Sequence, residues 1–186
     1  MSESPLNSPQ DLAEPVTETD HALGPPNAPV TLVEYGDYEC PDCINAQPIV
    51  MALRKYFGDR LRIVFRHFPQ SSIHPGASAA ARAAEAAAAQ GLFWQMHEEL
   101  FRLHHEIADV DLTHLALRLN AELYRFERDR ESPKLEHRIL ADLDSGARSG
   151  VRGTPTFFIN GSRYRGPAEK AALAAAIRAA ESKARR

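Results

Sequence analysis

The stretch Val30 to Phe57, VTLVEYGDYECPDCINAQPIVMALRKYF, decides the fold. Val30 to Tyr35 is rich in β-branched and aromatic residues and reads as a strand. Cys40-Pro41-Asp42-Cys43 follows, and proline suits the first position of a helix, so Pro41 opens one. Ile49, Leu53 and Phe57 recur at fourfold spacing, one face of that helix. Pro48 lies inside it and should kink it. Leu61 to His67, LRIVFRH, reads as the next strand, which completes a strand–helix–strand unit with a cysteine pair at its first turn.

Downstream, Phe68 to Pro155 spans 88 residues that read as mainly helical. Ala77 to Gln90 is dominated by alanine, the best helix former. Leu92 to Glu106 carries Phe93, Met96, Leu100 and Leu103 on one stripe. Asp111 can cap a helix bearing Leu112, Leu115 and Leu119. Ser132-Pro133 opens another, with Leu135, Ile139, Leu143 and Ala147 on one face and a stop near Gly150. A simple crossover needs far fewer residues, so this block is expected to form a helical subdomain. Thr156 to Ile159 then reads as a strand, Asn160-Gly161 as a two-residue hairpin turn and Ser162 to Arg165 as the return strand. A last helix after Gly166-Pro167 should bury Leu173 and Ile177. The order is that of an α/β sheet with a helical insertion.

Composition narrows the function classes. The chain of 186 residues is 44% hydrophobic and 25% charged, which suits one compact domain with room for an insertion. No apolar run approaches the ~18 residues of a membrane span. Net charge of −3 argues against general nucleic-acid binding. Two cysteines exclude a disulfide-stapled mini-fold and a four-thiolate zinc site. Met1 to Glu14 has no Lys, no Arg and no apolar centre, so no secretory signal is read there and a reducing, cytoplasmic location is expected. Charge is unevenly spread: residues 1–53 sum to −9 and the remainder to +6.

The cysteine pair carries the chemistry. Its spacing lets both sulfurs meet at one helix start, where free backbone N–H groups and the helix dipole favour a thiolate at Cys40. That thiolate can attack a disulfide, and Cys43 can resolve the mixed disulfide. Three other readings stand beside this one: inert cysteines, a structural disulfide, or a metal site completed by His67 and His74. His67, His74, His97, His104, His105 and His114 are given no catalytic role, and His97, between Phe93 and Phe101, is expected to pack at a helix interface. Trp94 is expected in a core or interface.

The strand–CPDC–helix unit, with Gly153-Thr154-Pro155-Thr156 far downstream, resembles the thioredoxin superfamily, and the long helical stretch between them is similar to its DsbA-like branch. APVTLVEYGDYECPDC, VFRHFP, HPGASAAARAAEAAAAQGLFWQMHEELF and GVRGTPTFFING resemble DsbA-like thioredoxin domains, some of them fused to NhaA-type sodium/proton antiporters. Similarity runs from about Gly24 to Ala180. The resemblance implies a thioredoxin fold, a mixed sheet flanked by helices, over residues 26–67 and 150–186. Residues 68–149 would be its helical insertion, and residues 1–25, rich in proline and acids, a flexible tail.

It also implies roles. Cys40 would be the attacking thiol and Cys43 the resolving one. Pro155 would be the cis-proline facing them, Thr154 would hold the substrate beside it, and its hydroxyl could contact a sulfur. Glu34 would be the buried carboxylate that takes the proton of Cys43. Its sharing of a strand face with Val30 and Leu32 agrees with burial. Pro41 and Asp42 would tune the pair. Glu39 replaces thioredoxin's tryptophan, and the central dipeptide is Pro-Asp where DsbA has Pro-His. Asp37, Glu39 and Asp42 should oppose the Cys40 thiolate, so a reductase- or isomerase-like exchanger is expected rather than a strong oxidant. Partners would be cysteine-containing proteins or small disulfides and a recycling redox partner, with no cofactor beyond the sulfurs. The alternatives are a glutathione-dependent transferase or isomerase on the same fold and a binding or regulatory module.

Overall fold

A computed structural model describes residues 11–103, 107 and 112–184. The expected cap at Asp111 and the residues His104 and His105 lie outside them. The sheet has five strands in the order β1-β3-β2-β4-β5: β1 His21–Leu23, β2 Val30–Gly36, β3 Leu61–His67, β4 Thr156–Ile159 and β5 Ser162–Arg163. β2 and β3 run parallel, joined through helix α1, Pro41–Phe57. β4 runs antiparallel to β2, with Leu32 opposite Ile159 and Tyr35 opposite Thr156. At the hairpin, Asn160 and Gly161 both have positive φ, 48° and 83°, as a tight β-hairpin turn requires.

Alternation on β2 divides the core. Val30 and Leu32 face α1 and the last helix, α7 (Lys170–Ala184), where they meet Leu53, Phe57, Leu173 and Ile177. Val33 and Tyr35 face the other way and pack with Val64, Val151 and Phe158. Among the described residues five helices lie between β3 and β4: α2 Ala77–Ala88, α3 Phe93–Arg102, α4 Leu112–Arg118, α5 Leu123–Arg130 and α6 Pro133–Arg148. Seven of the nine alanines of α2 are buried, and their small side chains let α3 and α5 approach closely. No helix among the described residues is long and apolar enough to cross a membrane.

Two expectations need correction. The described part of the segment read as a flexible tail is folded: β1 pairs antiparallel with β3, and Leu12 N donates to Gly161 O at 2.7 Å. The anchor is Arg66, buried at the end of β3. It forks onto both oxygens of Asp20 at 2.8 and 3.1 Å and donates to Tyr35 Oη and to the carbonyls of Glu14 and Pro15. A proline-rich, acidic segment is held by what its carbonyls and one carboxylate accept, not by hydrophobic pattern. The second correction concerns α6. Its buried residues are Ile139, Asp142, Ser145 and Gly146, whereas Ala147 is exposed. The helix covers polar strand ends: Asp142 accepts from His67 N at 3.0 Å and Ser145 bonds Tyr35 Oη at 2.8 Å. Gly146 leaves room for the Phe68 ring, which an added Cβ would meet at 2.8 Å.

Removing one member of a buried, hydrogen-bonded ion pair strands the other, at a cost of about 3–5 kcal/mol. Arg66→Ala should therefore lower unfolding stability by about that amount, read as a fall in the urea midpoint. An unchanged midpoint would show that Asp20 and residues 11–23 are not held by this contact.

Candidate active site

The site is assembled where β2 ends. Gly36 leaves the sheet, and Asp37, Tyr38 and Glu39 form the turn that delivers Cys40. Cys40 is extended (φ −70°, ψ 122°) at the N-terminal cap of α1, with Pro41 as the first helical residue. Both cysteines are free thiols; Cys40 is 5% exposed and Cys43, one turn into the helix, is fully buried. Pro48 lies inside α1.

From across the sheet, the loop before β4 meets them. The Thr154–Pro155 peptide bond is cis, and Cys40 Sγ donates to the Thr154 carbonyl at 3.2 Å. The Thr154 hydroxyl donates to Gln70 Oε1 at 3.1 Å. Beside these groups lies a groove of about 610 Å³, lined on one side by Asp42 and Asn45 and on the other by Thr154, Pro155, Arg163 and Arg165.

The electrostatics separate the two thiols. A hydrogen bond from the Cys43 thiol is the main influence holding the Cys40 thiol down to about 5; Thr154 and the backbone N–H groups of Cys43 and Asp42 add to it, against the opposing effect of burial. Cys43 is pushed well above the usual thiol range, first by burial, then because its proton is given to Cys40, and further by the charge of Glu34. Glu34 is 1% exposed, and its Oε1 has no hydrogen-bond partner. Burial, with a smaller contribution from the Cys40 charge, raises its carboxyl to about 8.

The structure brings Cys40, Cys43, Pro41, Asp42, Thr154 and Pro155 to one place, with Glu34 behind them on the strand. The expected opposition of the acids to the thiolate is not found. Asp37 accepts from Glu39 N, Gln70 N and His74 Nδ1 at 2.8–2.9 Å, and Glu39 accepts from Gly76 N at 2.6 Å. These carboxylates hold the loop after β3, while Asp42 sits exposed on the first turn of α1. The metal reading fails on the same geometry. His74 is paired with Asp37, and His67 Nε2 lies 2.9 Å from Glu85 Oε1, which His21 also approaches at 2.6 Å. Among the described residues these last three form the one cluster of metal-ligand type, and it contains neither cysteine. His97 packs as expected, buried among Tyr38, Phe93 and Phe101, and burial brings its ring down to about 3. Trp94 is half-buried, with Nε1 donating to Ala22 O.

Sequence reasoning missed Gln70, Arg163 and Arg165. The first had no local signal. The other two had one, since Ser162-Arg163-Tyr164-Arg165 places its arginines two apart on a predicted strand beside the Thr154-Pro155 turn.

Fold and site together define a thioredoxin-fold thiol–disulfide oxidoreductase. The chain belongs to the thioredoxin family, whose model matches residues 16–179. It is 46% identical over 176 residues to the Na(+)/H(+) antiporter NhaA 3 of Salinispora tropica, covering 94% of this chain and 27% of that protein. It is 41% identical over 178 residues to the Na(+)/H(+) antiporter NhaA of Herminiimonas arsenicoxydans, covering 95% and 28%. The chain thus spans about a quarter of the length of these curated relatives. Among solved structures it is similar to a thioredoxin-like oxidoreductase from Silicibacter pomeroyi, at 27% identity and TM-score 0.74 over 91% of this chain and 94% of that one. It shares its fold with oxidised BdbD from Bacillus subtilis, at 23% identity and TM-score 0.79 over 94% and 99% of the two chains.

Two measurements check the electrostatics. In the reduced protein, the alkylation rate of Cys40 should rise with pH to a plateau with a midpoint near 5, and Cys43→Ala should move that midpoint upward. A midpoint unmoved by the substitution would show that Cys43 is not the main source of the shift. Glu34 takes up a proton on folding, its carboxyl rising from 4.5 to about 8, so its contribution to stability is complete below pH 4.5 and lost as pH rises towards 8. Urea midpoints of the oxidised protein should therefore fall across that window, and Glu34→Gln should flatten the fall.

Proposed function

We propose that the protein exchanges disulfides with cysteine-containing proteins or small disulfides through Cys40-Pro41-Asp42-Cys43. The observation that carries this reading is the asymmetry of the pair: Cys40 favours the thiolate at the edge of the groove, and Cys43 keeps its proton behind it above an unpartnered carboxyl group.

In the reducing direction, the Cys40 thiolate attacks one sulfur of a substrate disulfide. A Cys40–substrate S–S bond forms, and the other substrate sulfur leaves as a thiolate that takes up a proton. Cys43 then attacks Cys40. It loses its proton to the Glu34 carboxylate, the Cys40–Cys43 disulfide forms, and the second substrate sulfur leaves. Two electrons have passed from the pair to the substrate. Timing follows from the charges. Once Cys40 is tied to substrate its thiolate charge is gone, so the smaller of the two influences raising the Glu34 carboxyl is removed and a carboxylate is more available as Cys43 needs it. Thr154 and Pro155 would hold the substrate segment next to the sulfurs, and the reverse sequence oxidises a dithiol. No cofactor beyond the sulfurs enters these steps, and a second redox couple must reset the pair.

Direction depends on potential. A stabilised Cys40 thiolate stabilises the reduced pair and makes its disulfide more oxidising. The acid cluster no longer argues for the reducing extreme, because Asp37 and Glu39 are tied to the loop after β3. On this reading the potential of the pair should fall between those of thioredoxin, at about −270 mV, and DsbA, at about −120 mV.

Redox titration against glutathione should give a reversible two-electron couple between those limits. Cys40→Ser should abolish exchange, and Cys43→Ser should trap mixed disulfides. Retained exchange without Cys40 would sink the assignment; loss of partner binding only, with no exchange in the wild type, would favour a binding module.

A further inference from the structure

We propose that the groove beside Cys40 selects substrates whose reacting cysteine lies in an acidic segment, and that Arg152, Arg163 and Arg165 read that charge. The inference rests on the exchange reading above and specifies its substrate. Arg163 and Arg165 line the groove together with Thr154 and Pro155, the residues facing Cys40. Arg152 stands on the same loop, two residues before Thr154, and its side chain is exposed. Among the described residues none of the three is in a salt bridge, although eleven other arginines are.

Their mutual placement is unfavourable without a partner. Arg163 is half-buried, its Nη1 donating to the Gly150 carbonyl at 2.6 Å, which fixes the guanidinium in place. Its own burial and the charges of Arg165 and Arg152 all disfavour its protonated form. Three cations grouped beside a reaction groove repel one another, and an anion placed among them relieves the repulsion. On the opposite wall the one carboxylate is Asp42, too few charges to neutralise them.

The occupant is a peptide segment. Pro155 and Thr156 lead directly into β4, so the groove floor is extended backbone against which another extended chain can lie. Cations on both sides of the Thr154-Pro155 turn would meet carboxylates on either side of the substrate cysteine. Guanidinium groups bind carboxylates through paired hydrogen bonds, which suits Asp and Glu side chains.

The test uses two short peptides with a central cysteine, one flanked by glutamates and one by lysines, each presented as its mixed disulfide with β-mercaptoethanol. Reduced wild-type protein should react faster with the acidic peptide by about fivefold or more at low salt, and the advantage should shrink as ionic strength approaches about 0.5 M. The rate ratio of the two peptides should invert in the double variant Arg152→Glu, Arg165→Glu and be retained in Arg152→Lys, Arg165→Lys. A parallel titration calorimetry experiment uses the same peptides with serine for cysteine, so it reads groove charge without any exchange step. Equal rates and equal affinities for both peptides, or a ratio that the charge reversal leaves unchanged, overturn the proposal. Absence of exchange with either peptide, with acidic binding preserved, overturns the exchange reading and upholds the groove. Glutathione disulfide, assayed alongside, should gain less from the arginines than the acidic peptide; an equal gain would assign the site to small anionic disulfides instead.

Discussion

The antiparallel pairing of β2 with β4 is the constraint on which the site depends. Cys40 and Thr154 are 114 positions apart in the chain, yet the thiol reaches the carbonyl at 3.2 Å. That contact follows from register: Tyr35 opposite Thr156 sets the end of β2 beside the start of β4, so the turn leaving one strand faces the turn entering the other. The intervening helices pack on the sulfurs as well: Cys40 and Cys43 share one buried cluster with Ala84 of α2 and Met96 and Leu100 of α3. Helices α2 and α3 pack with Cys43 and Phe65, α6 meets Tyr35 on the opposite face, and α1 carries the sulfurs at its start.

Within that frame the chemistry depends on unequal solvation. The two sulfurs differ little in intrinsic acidity; position makes them differ. Cys40 sits where α1 has unpaired N–H groups, so its negative charge is solvated by protein dipoles that are already oriented. Around Cys43, burial, the hydrogen bond to Cys40 and the Glu34 charge outweigh the one backbone hydrogen bond, from Asp37, that favours its thiolate. Glu34 could have been satisfied by a nearby donor, as Asp142 is by His67 N. Instead its Oε1 is left without a partner, which keeps the group protonated through neutral pH and able to exchange that proton. A buried polar atom without a partner destabilises the fold, and such a cost is commonly found where a site needs the group.

The parts legible in the sequence were those with a local signal. The strand at Val30, Pro41 at the helix start and the Asn160-Gly161 turn each follow from steric preferences of a few residues, and they lie where expected. Glu34 was expected from the family resemblance, and alternation along the strand, which places it with Val30 and Leu32, agreed with its burial. The parts that were not legible depend on contacts between distant residues. Nothing near Asp20 announces Arg66, and composition alone reads residues 11–25 as tail. The buried face of α6 could not be found by hydrophobic spacing, because it is chosen by the polar groups of Tyr35 and His67. His21, Glu85 and His67 come from three separate elements, so no spacing along the chain connects them. The acids near Cys40 were counted correctly but misplaced in effect, since a count does not say which way a carboxylate points.

Of the acids that give residues 1–53 their −9, several are taken up internally: Asp20 by Arg66, Asp37 by His74 and two backbone amides, Glu39 by Gly76. Each is bound at short range in fixed geometry, and Asp37 and Glu39 are turned onto donors of the loop after β3. Among the described residues Arg152, Arg163 and Arg165 have no carboxylate partner. The arginines proposed to read substrate charge thus differ from the acids near the cysteines in being unpaired among the described residues, whatever the formal charge of the segment. A chain of net charge −3 can present a positive face to its substrate, because pairing, and not composition, determines which charges remain to be felt.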